Sequence, residues 1–147
     1  MRWVEYFRNL AHNVKLKSKD EKTQIGAIIV GKDKEIVSTG YNSFPRGLDD
    51  SIKLRQERPE KYYWFEHGER NAIYNAARIG VSTKGCTMYL SCGIPCVDCA
   101  RGIINAGITR IFCERGVTTK GTHWEENYNR SWDMLEEAGI DVQFYDD

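Results

Sequence analysis

Neither sign of charge predominates in this sequence: Lys+Arg and Asp+Glu stand at 21 each, and no block of five like charges appears. A general nucleic-acid surface needs an electrostatic excess, so nucleic acid is not expected as a partner. A local basic pocket for one small anion remains open. Also missing is any apolar run approaching the ~20 residues of a membrane helix. The first residues hold no apolar stretch ahead of a small-residue cleavage site. The chain is therefore expected to be soluble and cytoplasmic, with no membrane partner. No repeat, low-complexity tract or linker divides it, so residues 1–147 are expected to form one domain long enough to bury a core. Asn129-Arg130-Ser131 has the pattern of a glycosylation acceptor, but without a secretory signal it reads as chance. Five cysteines make an odd count, and in a reducing compartment they are thiols or metal ligands before they are disulfides.

Along the chain, Trp3, Phe7, Leu10, Ala11 and Val14 recur at helical spacing and predict an amphipathic first helix with these residues in the core. "QIGAIIVG" and "EIVSTGY" read as strands, joined after Gly31 by "KDK" into a hairpin. Residues 42–64 form a long irregular segment, and loops of that length in compact domains are usually functional. "EHGERNAIYNAARIG" then reads as a helix stopped by Gly80. After it come strand "CTMYLS", helix "CVDCARGIINAG", strand "TRIFC", helix "WEENYNRSWDMLEEAG" and strand "IDVQFY". The order α-β-β-α-β-α-β-α-β predicts an α/β fold, a mixed sheet covered on both faces.

Two stretches carry chemistry. Cys96 and Cys99, after Pro95, sit one turn apart at a predicted helix start, where both sulfurs face the same way and the macrodipole favours thiolates. Two sulfurs cannot close a tetrahedral site. A nitrogen from His67 makes three protein ligands and leaves a fourth position open, the mark of a catalytic zinc. Glu69, two residues beyond His67, points elsewhere and is free to handle protons. Zinc lowers the pKa of a bound water from ~15.7 toward ~7, and a carboxylate beside it can carry that proton to a leaving group.

His67-Gly68-Glu69 followed by Pro95-Cys96-Val97-Asp98-Cys99 is the H-x-E and P-C-x-x-C pattern of nucleobase deaminases. With "SKDEKTQIGAIIV", "GYNSFPRG", "ERNAIYNAAR", "GCTMYL", "CARGIINAGITRI" and "EEAGIDV" in order, the chain resembles the deoxycytidylate branch of the zinc-dependent cytidine and deoxycytidylate deaminase superfamily. Two departures stand out: Gly68 where alanine is usual, and Ser43 where a second glycine often follows "GYN". The resemblance implies a three-layer α/β/α sandwich around a five-stranded mixed sheet. It implies hydrolysis of dCMP to dUMP and ammonia, feeding thymidylate synthesis, with Glu69 protonating N3 and then the departing amine. It further implies that Asn42 meets the sugar hydroxyl and that the Gly68 backbone reads the pyrimidine edge. Phosphate would fall to a loop cation among Lys19, Lys22, Arg46, Arg115 and Lys120, and Trp124, beside His123, would cover the base. A homohexamer is implied, with dCTP–Mg2+ and dTTP as effectors and the Phe44–Arg55 segment as their site.

Other readings stay open at this stage. The same zinc site serves deaminases of dCTP, of free cytidine or deoxycytidine, and of nucleic-acid bases. A structural zinc would take a fourth protein ligand, with Cys92 nearest in sequence, and would make the chain a non-catalytic binding module.

Overall fold

The computed structural model describes residues 1–116 and 118–147. Strands β1 Gly26–Val30, β2 Ile36–Tyr41, β3 Thr87–Leu90, β4 Arg110–Cys113 and β5 Asp141–Phe144 form one sheet in the order β2-β1-β3-β4-β5. β1 is antiparallel to both β2 and β3, and β3–β4 and β4–β5 are parallel. The parallel pairs are the ones joined through helices, as a crossover requires. These pairings bring the start of β1 and the ends of the other four strands to a single edge of the sheet.

The helices are α1 Trp3–Val14, α2 Lys61–Trp64, α3 Gly68–Ile79, α4 Val97–Asn105 and α5 Glu125–Glu137. Strand alternation sorts them into two layers. Ile28, Val30 and Tyr89 face α1 and meet Phe7 and Ala11. Ala27, Ile29, Met88, Leu90 and Ile111 face the opposite way, against Ala72 of α3, Ala100 and Ile103 of α4 and Leu135 of α5. The result is the expected α/β/α sandwich, with β1 buried along its whole length. Trp3 corrects the core expectation: it is 53% exposed and stacks on Phe7 from outside, at the first turn of α1.

Two glycines set how α3 lies. Gly80 takes φ 89° and donates its N–H to the Ala76 carbonyl, ending the helix as the sequence predicts. At Gly40 a side chain would overlap the Ala72 nitrogen and the Gly68 carbonyl, because α3 rests directly on β2.

Residues 42–66 leave the sheet after β2 and return to α3. Ser43 and Glu66 exchange backbone N–H···O bonds of 3.1 and 2.8 Å, closing the excursion at its base, and Phe44 packs on Phe65 with ring centroids 4.3 Å apart. Inside it lie a 3-10 turn, Lys53–Gln56, and α2, both too short to show a period in sequence. No helix among the described residues is long and apolar enough to cross a membrane.

Candidate active site

His67 occupies the N-cap position of α3, Cys96 that of α4, and Cys99 the first turn of α4. His67 Nδ1 lies 3.4 Å from each sulfur, and the three donor atoms fall within 4.8 Å of one another. Zinc–sulfur bonds of ~2.3 Å and a zinc–nitrogen bond of ~2.0–2.1 Å at tetrahedral angles put S and N about 3.5 Å apart, so the set fits that ion. Among the described residues no fourth His, Cys, Asp or Glu joins the group. Cys92 lines the same cavity without belonging to it. The sulfurs divide in charge: a hydrogen bond from Cys99 pulls the Cys96 thiol down, while the Cys96 sulfur, helped by burial, pushes the Cys99 thiol up. Both become thiolates only with a cation between them.

Neighbouring elements hold these ligands in place. Asn127 Oδ1 on α5 accepts the Val97 N–H at 3.1 Å, which caps the start of α4 from outside. Fully buried Ser131 donates to the Pro95 carbonyl at 2.6 Å. On the α3 side, the His67 N–H donates to Glu66 Oε1 at 2.9 Å, and Glu66 pairs with Arg70 at 2.6 Å. The Arg70 guanidinium sits near both thiols: burial lowers its pKa, and Cys99, Glu66 and Cys96 more than offset that.

Glu69 is 3% exposed, and its Oε1 has no hydrogen-bond partner among the described residues. Burial raises its pKa, with His67 pulling the other way. A buried carboxylate oxygen without a partner is unfavourable by about 1–3 kcal/mol or more, so this atom is suited to a polar group entering the cavity. Proton exchange at that oxygen is the chemistry the placement allows.

His67, Glu69 and Cys96 line a cavity of about 640 Å³. Its lining includes the strap Thr23–Ile25, Tyr128 and Trp132 of α5 and Phe144 of β5. Trp132 and Phe144 stack at 6.2 Å, and the Arg115 guanidinium lies 4.5 Å from the Phe144 ring centroid while pairing with Asp147. Arg115, one of the loop cations expected as phosphate partners, thus lines this cavity. Several other expected contacts fall elsewhere. Arg46 lines a separate cavity of about 470 Å³ and donates to Asn75 at 2.8 Å, because the excursion turns it away from the metal ligands. Trp124 packs on Tyr62, His123 and Tyr128 and lines neither cavity. Gly68 is buried against the strap, where a Cβ would sit 3.0 Å from the Ile25 carbonyl oxygen.

Asn42 also stands behind the wall and not in it. Its Oδ1 accepts the Ile25 N–H at 2.8 Å, and its Nδ2 donates to the Thr23 carbonyl at 2.8 Å and to Asp20 at 3.3 Å, so both amide donors are engaged. The strap, Tyr128, Trp132 and Phe144 were missed in the sequence. The one available signal was the stripe Trp124, Tyr128, Trp132 at i, i+4, i+8, whose latter two members reach the cavity.

Comparison with known proteins agrees with this geometry. Residues 1–115 match the cytidine and deoxycytidylate deaminase zinc-binding region. An uncharacterized deaminase from the luxG 3′ region of Aliivibrio fischeri is 37% identical over 141 residues, 96% of this chain and 92% of that protein. Human deoxycytidylate deaminase is 38% identical over 116 residues, covering 76% of this chain; the aligned part is 64% of the human protein's length. The dCMP deaminase of cyanophage S-TIM5, solved with dCMP and dUMP, shares the fold with a TM-score of 0.76 at 22% identity, over 95% of this chain and 94% of that one. By motif, sheet order and sequence, the chain belongs to the zinc-binding cytidine and deoxycytidylate deaminase family.

Proposed function

We propose that residues 1–147 act as a single cytoplasmic deaminase domain that hydrolyses dCMP to dUMP and ammonia. The observation that carries this reading is the meeting of the His67, Cys96 and Cys99 donors with the unpartnered Glu69 oxygen in one cavity. His67 Nδ1 and the two sulfurs would hold zinc, which when bound supplies a Lewis acid that brings a water's pKa toward ~7. Glu69 takes a proton from the attacking water and delivers it to ring N3, then takes the second proton from the hydroxyl now on C4 and delivers it to the amine, which leaves as ammonia. Its burial favours the protonated form between these transfers. Tyr128 and Trp132, which line the cavity, exclude water from it. Arg115 is the cation placed to meet one phosphate, exchanging its Asp147 partner for the nucleotide. A single lining guanidinium suits a monophosphate better than a triphosphate. Purified protein is expected to turn over dCMP well above deoxycytidine and dCTP. Equal turnover of dCMP and deoxycytidine would overturn the substrate assignment.

Regulation belongs to the same reading. The 470 Å³ cavity takes Phe44, Arg46 and Leu48 from the excursion and adds Lys17, Lys19 and Arg78, a cationic lining suited to dCTP–Mg2+ or dTTP. In the family's homo-hexameric arrangement such effectors are expected to shift dCMP saturation curves in opposite directions. Curves measured with each effector, with and without magnesium, test this, and superimposable curves would remove it.

A further inference from the structure

A buried ion pair lies on the outer side of the strap that walls the cavity. Lys61 Nζ is 2.8 Å from Asp20 Oδ2, and the two side chains are only 8% and 4% exposed. Lysine is almost never this buried unless paired, and a buried pair is seldom worth more to stability than well-packed apolar side chains. Its connections suggest what else it does. Asp20 Oδ1 accepts the N–H groups of Lys22 and Thr23 at 2.9 and 3.2 Å, and Oδ2 also accepts from Asn42. Asn42 grips Ile25 twice, with Oδ1 on its N–H and its own N–H on the Ile25 carbonyl at 3.2 Å. Ser18 ties the Asn42 carbonyl at 2.8 Å. Ile25 in turn lies against Gly68, between the ligand His67 and Glu69.

We propose that Lys61 is a positioning residue for the cavity: through Asp20 and Asn42 it fixes the Thr23–Ile25 wall, and with it the start of α3, in register with the metal ligands. The inference rests on the deaminase reading of that cavity. Lys61 comes from the excursion, so a segment without a side chain of its own on the metal centre sets how closely the wall approaches the nucleotide. No charge-neutral side chain at position 61 would polarise Asp20 toward Asn42 in the same way.

The test uses full-length, zinc-loaded Lys61→Met, Lys61→Arg and the double variant Asp20→Asn/Lys61→Met. Lys61→Met is expected to keep its zinc, to exchange the Ile25 amide at least tenfold faster, and to raise KM for dCMP on the order of 10- to 100-fold with a smaller change in kcat. Lys61→Arg is expected to recover most of both. The double variant restores thermal stability, having no unpaired buried charge, yet keeps the raised KM. Wild-type KM in either the folded Lys61→Met protein or the double variant would reduce the pair to a stability element and overturn the proposal; should Lys61→Met not fold, the double variant decides alone. If the wild type turns over no cytosine nucleotide, the functional reading fails separately. Unchanged Ile25 exchange would then still overturn the clamp, and faster exchange would support it.

Discussion

At the residue scale, the proposed function divides metal binding, proton transfer and support among adjacent side chains. Glu69→Gln is expected to retain zinc at the wild-type ratio and to lower kcat for dCMP by about 10²- to 10⁴-fold, the range for loss of a general acid–base. Metal analysis beside turnover checks this, and an active Glu69→Gln protein would remove the assignment. Cys96→Ser and Cys99→Ser should lose metal and stability together, because binding at such a set is coupled to folding. Asp20 gives a pH dependence whose sign follows from its partners. Burial pushes its carboxyl up, but Lys61 and the N–H groups of Lys22 and Thr23 outweigh that and leave it below the usual range. A carboxyl lowered by folding adds stability that is fully present above its unfolded pKa of about 3.9 and is lost as pH falls through the lower folded value. Melting temperatures taken stepwise downward from pH 6 are expected to drop below pH 4, and less steeply in Asp20→Asn.

Among the elements, the metal ligands depend on how three helices meet. Asn127→Ala removes the acceptor that α5 offers to the first turn of α4, and about 0.5–2 kcal/mol should follow, as for other helix caps. Gly40→Ala forces a methyl into the α3 backbone and should destabilise by about 1–3 kcal/mol, the range for overpacking. Denaturant midpoints read both; a midpoint for Gly40→Ala equal to wild type would mean that α3 can slide on β2. This scale also marks how far the sequence could be read. The five strands and the four longer helices followed from period, β-branched runs and the stops at Gly80, Gly107 and Gly139, all at positive φ. His67, Cys96 and Cys99 followed from spacing, because metal ligands are constrained in type and in number. The cavity wall did not. Ile25 and Phe144 look like any strand-end apolar residues, and what makes them cavity residues is the sheet order, a long-range property. The support role of Asn42 was not legible for a related reason: one residue type serves a sugar hydroxyl or a backbone equally well, and the path of the Asp20–Ile25 loop is what brings the backbone to it.

For the whole molecule, zinc would join the starts of α3 and α4, two helices distant in sequence and otherwise held by packing and a 3.9 Å Arg70–Asp98 ion pair. Chelation is therefore expected to lower the melting temperature, by about 2–5 °C for each kcal/mol of lost binding at this chain length, and added zinc to restore it. A chelated protein that melts with the loaded one would mean that the three donors bind no structural load. The sheet edge where β1 begins and its four neighbours end has a consequence of its own. Severing the exposed link at 80–82 would leave His67, Glu69 and the Thr23–Ile25 strap on one fragment, and Cys96, Cys99, Arg115 and Tyr128 on the other. Neither fragment owns a complete coordination set, so ion uptake would report their reunion along the β1–β3 seam, and the fold could serve as a two-part complementation sensor.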